Sequence, residues 1–225
     1  MMLAPIDTTD KVYSITPSSM AVGAVSSLPG FRLGSGVTLG VRSETAYGTT
    51  ANVFGANSGS GDFVEPLFET LASGRDVVVT TWSRIGHIFL RCNKALGTGI
   101  RIEWNGFAAN GELKVYWAKN IPSAPADIIP ADGIYTTELF NTNSIASHVT
   151  GWNPSSTAGD QYEFSLIGSV LTIKWNGQTI WTANNIWFCP PGTVLYAPGG
   201  ASGAIRDTTI TFKPSVASYT DQDNR

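Results

Sequence analysis

Charge is scarce in this sequence. Asp, Glu, Lys and Arg make up 14% of its 225 residues, against roughly 25% in an average soluble domain. The 14 basic and 17 acidic side chains leave a net charge of −3, and no basic cluster stands anywhere along the chain. A duplex nucleic-acid binder needs a basic face to displace counterions, so that class is excluded as an expectation. No apolar run approaches the roughly 18 residues of a membrane span. The opening MMLAPIDTTDKVYSITPSS lacks the basic start and apolar stretch of a secretory signal, which predicts synthesis in a cytoplasm without export by that route. Cysteine is limited to Cys92 and Cys189, without metal-ligand spacing, and two buried free thiols are expected rather than a disulfide. Strong helix formers are few, which disfavours a helical fold.

What is plentiful points the other way. There are 24 glycines, and Thr and Asn are common, as in strands joined by tight turns. In YEFSLIGSVLTIKWNGQTIWT (162–182) Tyr162, Phe164 and Leu166 alternate with polar residues, then Leu171, Ile173 and Trp175 do the same. Asn176-Gly177 follows, the preferred pair of a type I′ hairpin turn. The run RDVVVTTWSRIGHIFLRCN (75–93) reads as two strands, the first apolar on both faces as in an inner strand. GIRIEWNGFAANGELKVYWAKN (99–120) reads as a hairpin. Weaker strands are expected near Val12–Ile15, over 31–41 and over 192–212. Residues 48–63 read as a surface loop, 64–73 as the one helical turn, and 121–159 as a long Pro-punctuated excursion. Ten to twelve short strands with almost no helix predict an all-β, antiparallel two-sheet sandwich of jelly-roll type. The division expected is an extended arm or lead-in strand over 1–30, one sandwich domain over 31–213 and a polar tail over 214–225.

From residue 75 onward the order of elements resembles the concanavalin A-like, or laminin-G-like, jelly-roll family. The resemblance rests on RDVVVTTWSR, HIFLRCN, the 99–120 hairpin, YEFSLIGSVLTIKWNGQTIWT and GTVLYAPGGASGAIRDTTITF, and it covers about 60% of the chain. It implies a domain that binds glycans or proteins, since members of the family do so and some hydrolyse polysaccharides. The hydrolase branch carries E-x-D-x-x-E on one strand to set two carboxyl groups a few ångströms apart. No such motif is present. Glu65 and Glu69 flank Pro66 on the expected helical turn, and Glu103 alternates outward alone, so all three read as solvated. His87 and His148 are isolated and read as structural, and no calcium or transition-metal cluster of the legume type is evident. G-x-S-x-G, a Cys-His signature and H-E-x-x-H are absent as well. The expectation is therefore no enzyme, no metal and no cofactor.

The aromatics carry the remaining functional signal. Trp82, Trp104, Trp117 and Trp175 fall on strand faces shared with Ile, Val or Leu and are expected in the core. Trp152, beside Asn153, and Trp187, near Asn184 and Asn185, lie in loops. Sugar rings stack on aromatic faces while amides bond their hydroxyls, so these five residues form the candidate glycan site. The alternative is that each loop tryptophan plugs an end of the sandwich. Together these readings predict a bacteriophage virion component: a homo-oligomeric tail or receptor-binding protein that contacts a glycan or cell-surface receptor and other virion proteins. A structural capsid-decoration or fibre subunit is the alternative, and a polysaccharide-degrading enzyme the weaker one.

Overall fold

The computed structural model describes residues 9–33, 39–46, 49–56, 68–83, 85–106, 108–119, 121, 135–153, 160–186, 189–198 and 205–214. Among them there are sixteen strands, two 3-10 turns and no α-helix. The strands are β1 (Lys11–Ile15), β2 (Gly23–Ala24), β3 (Phe31–Leu33), β4 (Leu39–Ala46), β5 (Thr49–Ala56) and β6 (Phe68–Thr70). Then come β7 (Asp76–Trp82), β8 (Ile85–Asn93), β9 (Thr98–Asn105), β10 (Glu112–Lys119) and β11 (Tyr135–Thr142). The last five are β12 (Gln161–Ile167), β13 (Val170–Trp175), β14 (Gln178–Ala183), β15 (Thr193–Pro198) and β16 (Thr208–Lys213).

Two antiparallel sheets make the sandwich that the alternation predicted. One has the order β1-β16-β7-β12-β13-β14, the other β11-β10-β9-β8-β15-β6-β3, and a smaller β2-β4-β5 sheet stands beside them. Period-two patterning puts Val77, Val79, Tyr162, Phe164, Leu171 and Ile173 of the first sheet in one apolar cluster with Ile88, Leu90, Ile100, Ile102 and Val115 of the second. Trp104 of β9 joins the layers. Its ring lies 5.5 Å from Tyr162, 5.0 Å from Phe164 and 5.9 Å from Tyr196, and its indole N–H donates to the Ser83 carbonyl at 3.1 Å. Asn176 and Gly177 both have positive φ, 45° and 80°, as the type I′ turn requires. Cys92 and Cys189 are buried free thiols, as expected.

Three expectations are corrected. The helical turn over 64–73 is replaced, in its described part, by strand β6, which pairs with both β15 and β3. The surface loop over 48–63 begins as strand β5, zipped to β4 along its full length. The excursion over 121–159 contains β11, an edge strand paired with β10. In each case the pairing comes from a distant or weakly alternating partner, and local composition does not register it. In the lead-in, Lys11–Ile15 is the edge strand of the first sheet, paired with β16, and Ile15, Pro17 and Leu28 are buried. Part of the 1–30 segment therefore belongs to the sandwich, while residues 1–8 and 215–225 lie outside the described residues.

Candidate functional site

The four described residues of the candidate glycan site fall into two groups. Trp152 is half-buried, its ring 5.1 Å from that of Trp175 and against Gly111, where an added Cβ would come within 2.4 Å of the indole. Its indole N–H is buried without an acceptor among the described residues. Asn153, Asn184 and Asn185 are exposed. Trp187 lies outside the described residues. The Trp152 segment is held at the turn end of the β13–β14 hairpin, where Thr150 and Gln178 exchange two hydrogen bonds of 2.8 Å. Asn184 and Asn185 sit at its other end, where the Ile186 N–H donates to the Ser169 carbonyl at 2.9 Å. Six residues of strand separate Ser169 from Trp175, about 20 Å at ~3.3 Å per residue. The two groups are separate places on the surface.

Aromatic face and polar rim do meet at another tryptophan. Along β7, Val77, Val79 and Thr81 are buried while Asp76, Val78, Thr80 and Trp82 alternate to the other face and are half-buried. Trp82 is therefore not a core residue, which corrects the expectation from its apolar neighbours. Trp117 is also only half-buried, packed against the core, whereas Trp104 and Trp175 are buried as expected.

Trp82 lines a cavity of about 270 Å³ with Ser18, Ala51, Asn52, Arg206 and Asp207. Four separate chain segments build it. Trp82 ends β7, and its carbonyl accepts from the Arg206 N–H at 2.9 Å, which sets the approach to β16 beside it. Asp207 follows, and its two carboxylate oxygens accept from the Ser18 hydroxyl at 2.8 and 2.9 Å. Ser18 belongs to the 3-10 turn Pro17–Ser19, anchored by the buried Pro17. Asn52 projects from β5, and its amide donates to the Met20 carbonyl at 2.9 Å. The cavity thus has an indole, a carboxylate, a guanidinium, an amide and a hydroxyl on rigid supports. Its volume is just below the ~300 Å³ lower range of small-molecule pockets, suited to one ring-sized group. Such an arrangement packs an apolar ring face on the indole and bonds polar substituents at the rim. Alternation exposes the face of Trp82, but nothing local announces Ser18, Asn52, Arg206 and Asp207 as its neighbours.

A second, polar groove of about 180 Å³ lies on the outer face of the seven-stranded sheet, lined by Ile85, His87, Glu103, Trp104, Asn105, Glu112 and Lys114. Glu103 stands directly across from Lys114 on one side and His87 on the other, with Glu112 diagonal to it. Glu103 is ion-paired with Arg101 on its own strand. It is not alone, then, and belongs to a lattice of alternating charges. Glu69, expected on a solvated face, is buried instead. Its carboxylate accepts from Arg32, Lys94 and Thr193. Glu65 lies outside the described residues. Among the described residues no group of three or more His, Cys, Asp or Glu is placed to hold a metal ion.

No protein-family model matches this chain, and no curated protein matches it. Solved structures with a similar course of chain include the carbohydrate binding module CBM66 from Bacillus subtilis, at 12% identity and a TM-score of 0.47, covering 82% of this chain and 92% of that one. The Emp46p carbohydrate recognition domain in its metal-free form is 11% identical with a TM-score of 0.46, covering 89% and 95%. A prokaryotic β-1,3-1,4-glucanase (lichenase) derived from a mouse hindgut metagenome is 10% identical with a TM-score of 0.40, covering 94% and 95%. Binding modules and hydrolases thus stand side by side among these structures, and similarity this distant carries no argument for either activity.

Proposed function

We propose that this protein is a glycan-binding module that works without catalysis and stacks a sugar ring on Trp82. One observation carries the reading. A half-buried indole that the strand alternation turns away from the core is rimmed by Asn52, Arg206, Asp207 and Ser18. Planar apolar surface beside fixed donors and acceptors is the chemistry that recognises a pyranose. The test is a glycan array followed by isothermal titration of the best ligand against wild type and Trp82→Ala. Loss of this aromatic anchor should weaken binding roughly tenfold or more. Because Trp82 stands outside the core cluster, the melting temperature should change little. Unchanged affinity in Trp82→Ala, or no glycan bound at all, overturns the assignment.

A hydrolytic reading is favoured by one observation, the diagonal pair Glu103 and Glu112. The Arg101–Glu103 ion pair and the facing Lys114 argue instead for a structural charge lattice. Release of reducing ends from a polysaccharide, abolished in Glu103→Gln, would reverse this preference.

The proposal extends to a homo-oligomeric component of a bacteriophage particle that meets a cell-surface receptor. This part rests on the sequence alone, on its low charge and its Thr-, Asn- and Gly-rich strands. Light scattering on the full chain and on a chain beginning at Thr9 tests it. A trimer or larger species that dissociates on truncation is the expected result, and a monomer in both cases removes the assembly claim. The cut stops at Thr9 because Ile15 and Leu28 are core residues.

A further inference from the structure

A cleft of about 430 Å³ has no part in the Trp82 site. It lies toward the other end of β7, where Gly74 and Gly192 exchange backbone hydrogen bonds of 3.0 and 3.1 Å. Trp82 is six residues from Asp76, about 20 Å along the strand. The lining includes Arg32, Glu69, Ser73, Lys94 and Thr193.

Its electrostatics are specific. Glu69 points in from β6 with a side chain only 2% exposed. One of its oxygens accepts from Arg32 Nε at 3.2 Å, Arg32 Nη2 at 2.5 Å and Lys94 Nζ at 2.6 Å. The other accepts from the Thr193 hydroxyl at 2.9 Å. Both carboxylate oxygens are thus occupied, so Glu69 has little left to offer a ligand or a metal ion. What it does is hold two cations, one from β3 and one from the turn after β8, at one wall of the cleft. Two positive charges against one negative leave a surplus of +1 among these three groups.

Donors are left over as well. A guanidinium has five N–H donors and an ammonium three. Arg32 uses its Nε and one Nη toward Glu69, and Lys94 uses one N–H. The Arg32 side chain is half exposed, at 51%. A forked cation with a free edge, beside a second cation and the Ser73 hydroxyl, matches a planar oxyanion held bidentately. The buried carboxylate fixes both cations beforehand and so lowers the entropy cost of capture.

We propose that this cleft binds the carboxylate of an acidic sugar, a uronic acid residue within a polysaccharide, with Arg32 and Lys94 as its ligands. The sugar in this assignment rests on the glycan-binding reading above, whereas the carboxylate rests on the cleft itself. The probe is a polyuronate oligosaccharide, titrated against wild type, Arg32→Lys and Lys94→Met, with a neutral glucan oligosaccharide and a polyglutamate peptide as comparisons. Arg32→Lys keeps the charge opposite Glu69 but removes the fork, so the fold is preserved while the bidentate contact is lost. Polyuronate affinity should fall about tenfold in Arg32→Lys and in Lys94→Met, and weaken with added salt. Wild-type affinity in both cleft variants overturns the proposal, as does absence of polyuronate binding. Polyglutamate binding as tight as polyuronate overturns the sugar assignment. Failure of the Trp82 reading registers differently: neutral glucan then fails to bind, while the polyuronate response of the cleft variants stands.

Discussion

Cys92, Cys189 and Tyr196 illustrate how burial sets chemistry at single residues. Burial pushes both thiols up to about 12, and it raises the Tyr196 phenol as well. Burial thus disfavours the thiolate at either cysteine across the physiological range. The linkage to stability has a definite sign. Each acid has a higher pKa folded than unfolded, so its contribution is complete below the unfolded value, near 9.0 for the thiols, and is lost as pH rises toward 12. Melting temperature should therefore be level through neutral pH and fall steeply above about pH 9. The double variant Cys92→Ala, Cys189→Ala should fall less steeply, and an identical alkaline slope would remove the thiols from the account. Residue by residue, legibility was uneven. Trp104 and Trp175 are in the core as their alternation with polar residues foretold. Trp82 and Glu69 are not where their neighbours suggested, because one strand step decides which face a side chain takes.

Hairpins were the most legible elements. Strands β9, β12 and β13 alternate between buried and outward residues, and the turn at Asn176-Gly177 has the dipeptide its backbone demands. An added Cβ at Gly177 meets nothing within 4 Å, so Gly177→Val tests conformation alone. The left-handed backbone costs a non-glycine residue roughly 1–2 kcal/mol, and a β-branched one is the least tolerant. Urea unfolding should lose about 2 kcal/mol of stability, and an unchanged midpoint would mean the turn relaxes freely. Strands β5, β6 and β11 were illegible for a related reason. β6 is three residues long and exists because β15 and β3 flank it. β5, TTANVFGA, shows no regular alternation and is held by register with β4.

Across the whole molecule, Arg91 bolts the two sheets together. It lies on β8 of the seven-stranded sheet, fully buried, with a left-handed φ of 49°. Its guanidinium donates to the carbonyls of Arg75, Cys189, Leu166 and Gly168 and to the Asp76 carboxylate. Asp76 and Leu166 belong to the six-stranded sheet. Removing one partner of a buried ion pair strands the rest, at about 3–5 kcal/mol. Arg91→Met should lose that much in equilibrium unfolding, and a loss under 1 kcal/mol would reduce the network to incidental contacts.

By itself the sequence determined the class: alternation, turn dipeptides and the shortage of helix formers allow an antiparallel sandwich, because period and turn chemistry are local properties. Tertiary structure alone decided which tryptophan faces a cavity and which carboxylate is buried between cations. Those outcomes depend on Ser18 meeting Asp207 and Arg32 meeting Glu69. Such contacts join residues far apart in the chain, and strand pairing sets them where no local pattern reaches.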